Sequence, residues 1–371
     1  MQRILHVIGS LNNGGSQVVV MNLFHHIDRS KMQFDFIIDR PMELFYAKEV
    51  RRLGGKIYVL PTFNTKNIFR YQKEWKYFFK NHPEYKIIHG HVRSTAVIYL
   101  GIAHKFGLTT IVHSHSTTSG KGYKAFIKSI LQYPLRYRID YLFACSKMAG
   151  EWLYGKRACK KDNFMVINNA IDASKFAFQE SIRSQVRSSL HLEGKFIVGH
   201  VGRFHIAKNH AYLLDIFAEI HKLRDNAVLL LIGDGLLREE IEKKIDSLNL
   251  KDSVYLLGYR SDTSDFMQAM DVFVFPSIWE GLPVSVIEAQ AAGLPCYISD
   301  AITKEVCITP YIQQLPLSIS TTTWAEQIVN ATSVNREDGY KLIKDKNYDV
   351  KDTADRLEEF YERLERKMRN E

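Results

Sequence analysis

A chain of 371 residues is long enough for two domains of ordinary size, and its 46% hydrophobic and 25% charged content excludes a disordered or fibrous protein. Four cysteines, Cys145, Cys159, Cys296 and Cys307, show no C-x-x-C spacing, which argues against a disulfide framework and points to a reducing compartment. The net charge of +9 is uneven: residues 1–175 hold 27 Lys+Arg against 11 Asp+Glu, net +16, and residues 176–371 hold 23 against 30, net −7. A basic first half suits an anionic partner, whether nucleic acid, an acidic membrane or a phosphorylated acceptor.

Arg3 to Ile8 reads as a buried strand, an apolar run broken by His6 and without a signal-peptide cleavage pattern. No run approaches 18 apolar residues, so no membrane-spanning helix is expected. Gly14-Gly15 precede helical spacing from Val18 to Ile27; a glycine pair there lets backbone approach a ligand and offers it free N–H groups. It is not G-x-G-x-x-G, so a dinucleotide fingerprint is absent. Strands are expected at Gln33–Ile38, Ile57–Leu60, Ile87–His91, Thr109–His113, Ile139–Ala144 and Met165–Ile167, with helices at Leu44–Leu53, Thr95–Phe106 and 147–154. Alternation of this kind implies a doubly wound parallel α/β sheet. Two histidine pairs, His89/His91 and His113/His115, fall at strand ends. They invite a zinc site, but no third ligand stands at a sensible spacing, and no metal is assigned.

Two stretches mix aromatics with basic residues, Lys66–Lys86 and Lys121–Arg138. In the second, Lys121, Lys124 and Lys128 recur at helical spacing, with Phe126, Ile127 and Ile130 available to another face. Such a helix can lie in a membrane interface, with lysines on lipid phosphates. A solvated basic face over an ordinary core stripe, or stacking on single-stranded nucleic acid, fits the same residues. A hinge is expected near 172–195.

In the second half, Phe196 to Val201 reads as a strand, followed by Gly202-Arg203 and Lys208-Asn209 just ahead of a helix from His210 to Lys222. Arg and Lys beside a glycine at a helix start form a grip for a diphosphate, each charge-assisted contact contributing about 1.5–3 kcal/mol; two surface cations would look the same. Ala227 to Ile232 ends in Gly233-Asp234-Gly235, and Val254 to Leu257 leads to Gly258-Tyr259-Arg260. Val272 to Phe275 is a strand closed by Pro276. Glu280 lies in the following loop, Pro283 stands where a helix can begin, and Glu288 lies two turns into that helix, whose expected C′ residue is Gly293. Leu294 to Ile298 is the next strand, Asp300 to Glu305 a helix start, and Asp352 to Arg369 a charged helix. Hydroxyl-binding carboxylates beside a helix start with free N–H groups near Val284 and Ser285 suit a sugar nucleotide, although a capped helix with one surface glutamate has the same spacing.

The frame F-P-S-x-x-E-G-L-P-x-x-x-x-E-A-x-A-x-G-x-P, from Phe275 to Pro295, resembles the E-x7-E signature of the family 4 glycosyltransferases, and the wider resemblance covers about residues 3 to 310. It implies the GT-B fold: two doubly wound Rossmann-like domains facing a cleft, here 1–175 for the acceptor and 176–350 for the nucleotide-sugar, with 351–371 a helix crossing back to the first. It implies that Glu280 faces the donor sugar and Glu288 the ribose hydroxyls, with Gly281, Leu282, Pro283 and Val284 lining the donor. The stretch Gly202 to Asn209 resembles G-R-x(4)-K-G, so Gly202, Arg203 and Lys208 would hold the leaving diphosphate; Asn209 replaces the usual glycine, which would stiffen the loop. Gly233, Tyr259 and Arg260 would line the nucleotide pocket. Gly14 and Gly15 would lie at the cleft and His115 near the transferred sugar, giving Glu280, His115, Arg203 and Lys208 as the catalytic set. Asn168 to Asp172 resembles the N-G-I/V-D turn that ends the first domain, with Ala170 for glycine.

The expected activity is transfer, with retention, of a sugar from a nucleotide-sugar, UDP-sugar favoured, to a polyprenyl-diphosphate-linked saccharide in cell-surface polysaccharide synthesis. The absence of D-x-D fits a family that usually needs no divalent metal, and no cofactor is expected. The protein is expected in the cytoplasm, peripheral at the inner face of the plasma membrane. A sugar-nucleotide epimerase on the same fold would leave the basic aromatic stretches without a purpose. A catalytically silent nucleotide-sugar-binding membrane protein would not need Arg203, Lys208, Glu280 and Glu288 together. A nucleic-acid-binding module is weakest, since the basic half carries a full doubly wound pattern.

Overall fold

The computed structural model describes residues 1–12, 15–40, 45–115, 123–331 and 334–370, with the backbone alone for 123–127. Contacts divide the chain into two compact units, Met1–Ala170 with Val350–Glu371, and Ile171–Asp349.

The first unit is built on seven parallel strands: β1 (Gln2–Gly9), β2 (Met32–Ile38), β3 (Ile57–Val59), β4 (Ile87–Gly90), β5 (Thr109–Ser114), β6 (Tyr141–Ala144) and β7 (Phe164–Val166), in the order β3-β2-β1-β4-β5-β6-β7. The chain runs outward from β1 to β3, then returns to β4 on the other side of β1, so the strand order reverses between β1 and β4. Both faces of the sheet are covered, which is why its strands read as apolar runs rather than alternating ones. One face packs Phe24, Phe34, Phe36 and Phe143. The other packs Trp75, Tyr85, Tyr99 and Leu142. The helix Val350–Asn370 completes the first of these cores with Ala354, Leu357, Phe360, Tyr361 and Leu364. Its Glu358 accepts the main-chain N–H of Asp28.

The second unit has six parallel strands: β8 (Phe196–Val201), β9 (Ala227–Ile232), β10 (Val254–Leu256), β11 (Val272–Phe275), β12 (Cys296–Ser299) and β13 (Ile312–Leu315), in the order β10-β9-β8-β11-β12-β13. The order reverses between β8 and β11. The stretch expected as a hinge, 172–195, instead carries a short turn, Ala173–Phe176, and a helix, Glu180–Ser189, inside this unit. That helix buries none of its residues. It is fastened by Arg183 and Arg187, which hold Asp271 at 2.5 and 2.7 Å and donate to the carbonyls of Ala269 and Met270. Asp300 to Glu305 does not open an α-helix; only a single 3-10 turn forms there, at Lys304–Val306. The helix expected from Leu44 covers Ala47–Arg52 among the described residues.

Candidate functional site

In open parallel sheets, ligands collect beyond the carboxyl ends of the strands where the strand order reverses. In the second unit this point lies between β8 and β11, and the loops that leave those two strands carry Lys208 and Glu280. Lys208 Nζ stands 2.7 Å from Glu280 Oε1, with both side chains less than one-fifth exposed. The ammonium also sits 4.4 Å above the ring of Phe275, the last residue of β11. Two cross-links fix the loops to each other. Asn209 Nδ2 donates to the Pro276 carbonyl at 3.2 Å, and the Ile278 N–H donates to the Ala207 carbonyl at 2.8 Å.

Asn209 explains its own departure from glycine. Its backbone is left-handed, with φ 57° and ψ 44°, a region that asparagine enters more readily than most side chains. Gly202 is favoured for a different reason: a Cβ there would stand 3.0 Å from His200 Nε2 and 3.2 Å from Lys208 Cδ and Cε, so the lysine stem would have to shift. Behind Lys208 lie two histidines that the sequence reading did not assign. His200 Nδ1 is 2.9 Å from the Val274 carbonyl, and burial, with Lys208 close by, lowers His210 to about 4. Both rings therefore stay neutral beside the ammonium. Arg203 is exposed at the surface of the same loop.

Glu288 lies on the helix Val284–Ala291, which no side chain caps; Pro283 is its N-cap residue rather than its first helical residue. The Val286 N–H turns back to the Pro283 carbonyl at 3.2 Å, and Gly293 ends the segment with φ 67°. Glu288 keeps part of its surface in solvent, yet enough protein surrounds it that lost hydration raises its carboxyl to about 7. This has a consequence for stability. Between about pH 4.5 and 7 the folded carboxyl holds a proton that the unfolded chain has released, so stability falls as pH rises through that window. The loss is on the order of 3 kcal/mol. Glu288→Gln is expected to flatten the fall in melting temperature between pH 5 and pH 8; an identical slope in wild type and variant would refute it.

Gly233 and Gly258 join the other side of the site. They form an antiparallel bridge, the Gly233 N–H donating to the Gly258 carbonyl at 2.8 Å. Tyr259 is exposed and its hydroxyl reaches the Asp234 carbonyl at 3.2 Å. Arg260 is committed to Asp262 through two bonds of 2.8 and 2.6 Å. Gly281 is half-buried; Leu282 and Pro283 are buried, and Val284 is half-buried. The structure thus gathers Gly202, Lys208, Glu280 and the start of the Glu288 helix on the ends of β8 and β11, with Gly233, Tyr259 and Arg260 on the ends of β9 and β10.

In the first unit, Gly14 lies outside the described residues, and so do Lys121 and the side chains of Lys124, Phe126 and Ile127. Gly15 opens the helix Gly15–His26. His115 follows β5 and does not stand alone. Parallel pairing sets His6 of β1 directly beside His89 of β4. The spacing i, i+2 puts His91 on the face of His89 and His115 on the face of His113, and the register of β4 with β5 sets the two pairs side by side. His6 Nδ1 is 3.0 Å from His91 Nε2, and His91 Nδ1 is 2.8 Å from His115 Nε2. His89 Nδ1 is 2.6 Å from the Tyr361 hydroxyl. The expectation that the pairs lacked a third ligand is overturned: His6, His89 and His91 offer nitrogens within 4.8 Å of one another, as do His91, His113 and His115. Burial holds all five rings neutral, with His6 lowered to about 3 and His115 to about 4. A hollow of about 410 Å³ in this unit lies at the opposite end of the sheet, beside Thr109, Tyr141 and Asn163 at the strand starts, away from these groups.

Two Rossmann-like parallel-sheet units, each with a strand-order reversal, are the architecture of the GT-B glycosyltransferases. The family described as Glycosyltransferase Family 4 matches residues 13–175, and the one described as Glycosyl transferases group 1 matches residues 181–314. A Bacillus subtilis protein named as the glycosyltransferase EpsF is 34% identical over 343 residues, covering 90% of this chain and 89% of that protein. The Escherichia coli UDP-Gal:alpha-D-GlcNAc-diphosphoundecaprenol alpha-1,3-galactosyltransferase is 29% identical over 234 residues, 58% of either chain. In fold, the chain is similar to Anabaena HepE solved in complex with UDP, with a TM-score of 0.79 and 17% identity, covering 98% of this chain and all of that one. The chain belongs to the family 4 glycosyltransferases.

Proposed function

We propose that this glycosyltransferase moves a sugar from a UDP-sugar to a polyprenyl-diphosphate-linked saccharide, with retention, in the assembly of a cell-surface polysaccharide. The observation that carries the reading is the Lys208–Glu280 pair on the ends of β8 and β11. As the bond from the anomeric carbon to the diphosphate breaks and a bond to an acceptor hydroxyl oxygen forms, negative charge grows on the diphosphate, whose oxygen takes up the acceptor's proton. A fixed cation at that place stabilises the transition state more than the ground state. Glu280 holds the ammonium in place; an arriving diphosphate takes over Lys208 and leaves Glu280 for a sugar hydroxyl. Arg203 supplies a second cation, the start of the helix Val284–Ala291 supplies main-chain N–H groups, and Glu288 takes the ribose hydroxyls. His115 is a proposed contact to the transferred sugar. Transfer without a divalent ion is part of this reading, and a rate that climbs with added Mg²⁺ would count against it.

The donor assignment is supported by relatives: one is named for UDP-Gal and a diphosphoundecaprenol acceptor, and HepE was solved with UDP. A thermal-shift comparison of UDP, GDP and ADP tests it. A ligand at a hundred times its dissociation constant stabilises by about 2.7 kcal/mol. UDP is expected to raise the melting temperature of the wild type and to raise that of Glu288→Ala much less. Equal shifts in both proteins would remove the ribose assignment, and a shift with GDP alone would remove UDP.

Membrane contact through the first unit is supported by the helix Ile68–Asn81. It buries Tyr71, Trp75, Phe78 and Phe79, while its outer face shows Arg70, Lys73, Lys76 and Lys80 with exposed Phe69 and Tyr77. Ile130, Tyr133 and Tyr137 are exposed as well. No described helix is long and apolar enough to cross a membrane. Flotation with anionic liposomes is expected to recover more protein than flotation with neutral ones; equal recovery would overturn the membrane reading.

A further inference from the structure

The transfer reaction uses His115 at most, which leaves the rest of the histidine cluster unexplained. His6, His89 and His113 are each 1% exposed. Among the described residues, neither ring nitrogen of His113 has a hydrogen bond of ordinary geometry, nor does His115 Nδ1; the Ile167 main chain and the Asn169 side chain are the polar groups that approach them, at looser geometry. Leaving buried polar atoms unsatisfied costs about 1–3 kcal/mol for each group, so a cluster of such nitrogens calls for a partner that accepts several lone pairs at once. We propose that His91, His113 and His115 form a binding site for one transition-metal cation of the zinc class.

The donor set selects that class. Neutral imidazoles suit zinc, cobalt, nickel or copper, and the absence of carboxylate or carbonyl ligands in the trio disfavours calcium and magnesium. The three residues offer nitrogens within 4.8 Å of one another. His91 Nδ1 and His115 Nε2, now 2.8 Å apart, need to open to about 3.3 Å to share one tetrahedral ion at metal–nitrogen distances of about 2.0–2.1 Å. His113, stacked on His115 with centroids 4.1 Å apart, must turn its ring as well to bring a nitrogen to the same ion. His91 and His115 are both partly exposed, so an ion can reach them and a fourth position can stay open to solvent.

The outer contacts fit as well. A metal-bound imidazole normally gives its other N–H to an acceptor, which fixes the tautomer. With Nδ1 on the ion, His91 Nε2–H points at His6 Nδ1, 3.0 Å away. With Nε2 on the ion, His115 carries its proton on Nδ1, where the buried Asn169 Oδ1 can accept it; both ring nitrogens are then taken, so the ion and the transferred sugar compete for this ring. The competing account is a ladder of hydrogen-bonded and stacked imidazoles, His113 and His115 lying 4.1 Å apart at 26°, with no affinity for metal.

Tag-free full-length protein, stripped with a chelator, separates the two. Titration with Co²⁺ is expected to produce the visible bands of a four-coordinate site, saturating at one equivalent and displaced by Zn²⁺. Zn²⁺ is expected to raise the melting temperature where Mg²⁺ does not. His113→Asn and His91→Gln should each lose the bands, and His6→Gln, the outer partner, should weaken Co²⁺ binding about 10–100-fold. Two ligand variants are used so that poor folding of one leaves the other. Absence of bands in the wild type overturns the proposal, and so do bands or a Zn²⁺ shift that survive both ligand substitutions, which would place the ion elsewhere. None of these readouts depends on the donor, the acceptor or the transfer rate.

Discussion

Lys208→Ala is expected to slow sugar transfer by about 10²–10³-fold, the loss seen when one preorganised group facing developing charge is removed. Nucleotide affinity should change far less, because Arg203 and the start of the helix Val284–Ala291 still meet the diphosphate in the ground state. The substitution has a second effect. It leaves Glu280, less than one-fifth exposed, without the cation 2.7 Å away that fixes its side chain. Lys208→Arg keeps the charge but not the shape: a bulkier head must fit between Gly202, whose missing Cβ leaves room for the lysine stem, and the ring of Phe275. A partial rescue is therefore expected. Single-turnover rates with saturating donor measure the effect, and a rate for Lys208→Ala within threefold of wild type would remove Lys208 from the catalytic set.

Gly233→Ala is expected to be the most damaging small substitution in the second unit. Gly233 has φ 137°, which L side chains rarely adopt, and an added Cβ would stand 2.1 Å from the Gly202 carbonyl oxygen. The obstacle is main chain, so no side chain can swing aside. Either the β8 loop moves, displacing Gly202 from Lys208, or the bridge between Gly233 and Gly258 breaks. Backbone strain of this kind costs about 1–3 kcal/mol before the clash is relieved. At roughly 2–4 °C per kcal/mol for a domain of this size, strain alone should lower the melting temperature by about 2–12 °C, with nucleotide binding reduced alongside it. Gly258→Ala is the matched control: φ there is also positive, at 65°, but a Cβ meets nothing within 4 Å, so its loss should be smaller. Equal losses in the two variants would show that strain rather than the contact with Gly202 decides.

Several strands are legible to the residue. Phe196–Val201, Ala227–Ile232 and Val272–Phe275 are apolar on both faces and are cut off by Gly202, Gly233 and Pro276, so run length and punctuation coincide. The strand Ile312–Leu315 escapes that reading because it lies at the sheet edge and carries Gln313 and Gln314. The helix Glu180–Ser189 escapes it because its apolar stripe is thin and only half-buried, with Val186 touching the core; its other anchors are two arginines reaching Asp271, more than eighty residues away. The same limit applies to the site. Lys208 and Glu280 could be matched to a family pattern, but their direct pairing follows only from the adjacency of β8 and β11. His6 looked like an interruption in an apolar run. It joined the other histidines only once β1 and β4 were known to be neighbours and in which register. Local spacing reveals residues that serve one segment; it does not reveal which strand ends meet.

The placement of Val350–Asn370 bears on how the protein is made. Residues 171–349 are, in topological terms, an insertion within the first unit, whose core is closed by Leu357, Phe360, Tyr361 and Leu364. During synthesis the inserted unit can therefore fold to completion while the unit begun earlier still lacks part of its core. Until the final helix leaves the ribosome, the sheet face carrying Phe34, Phe36 and Phe143 stays open to solvent or to a chaperone. The order of emergence and the order of completion are thus reversed.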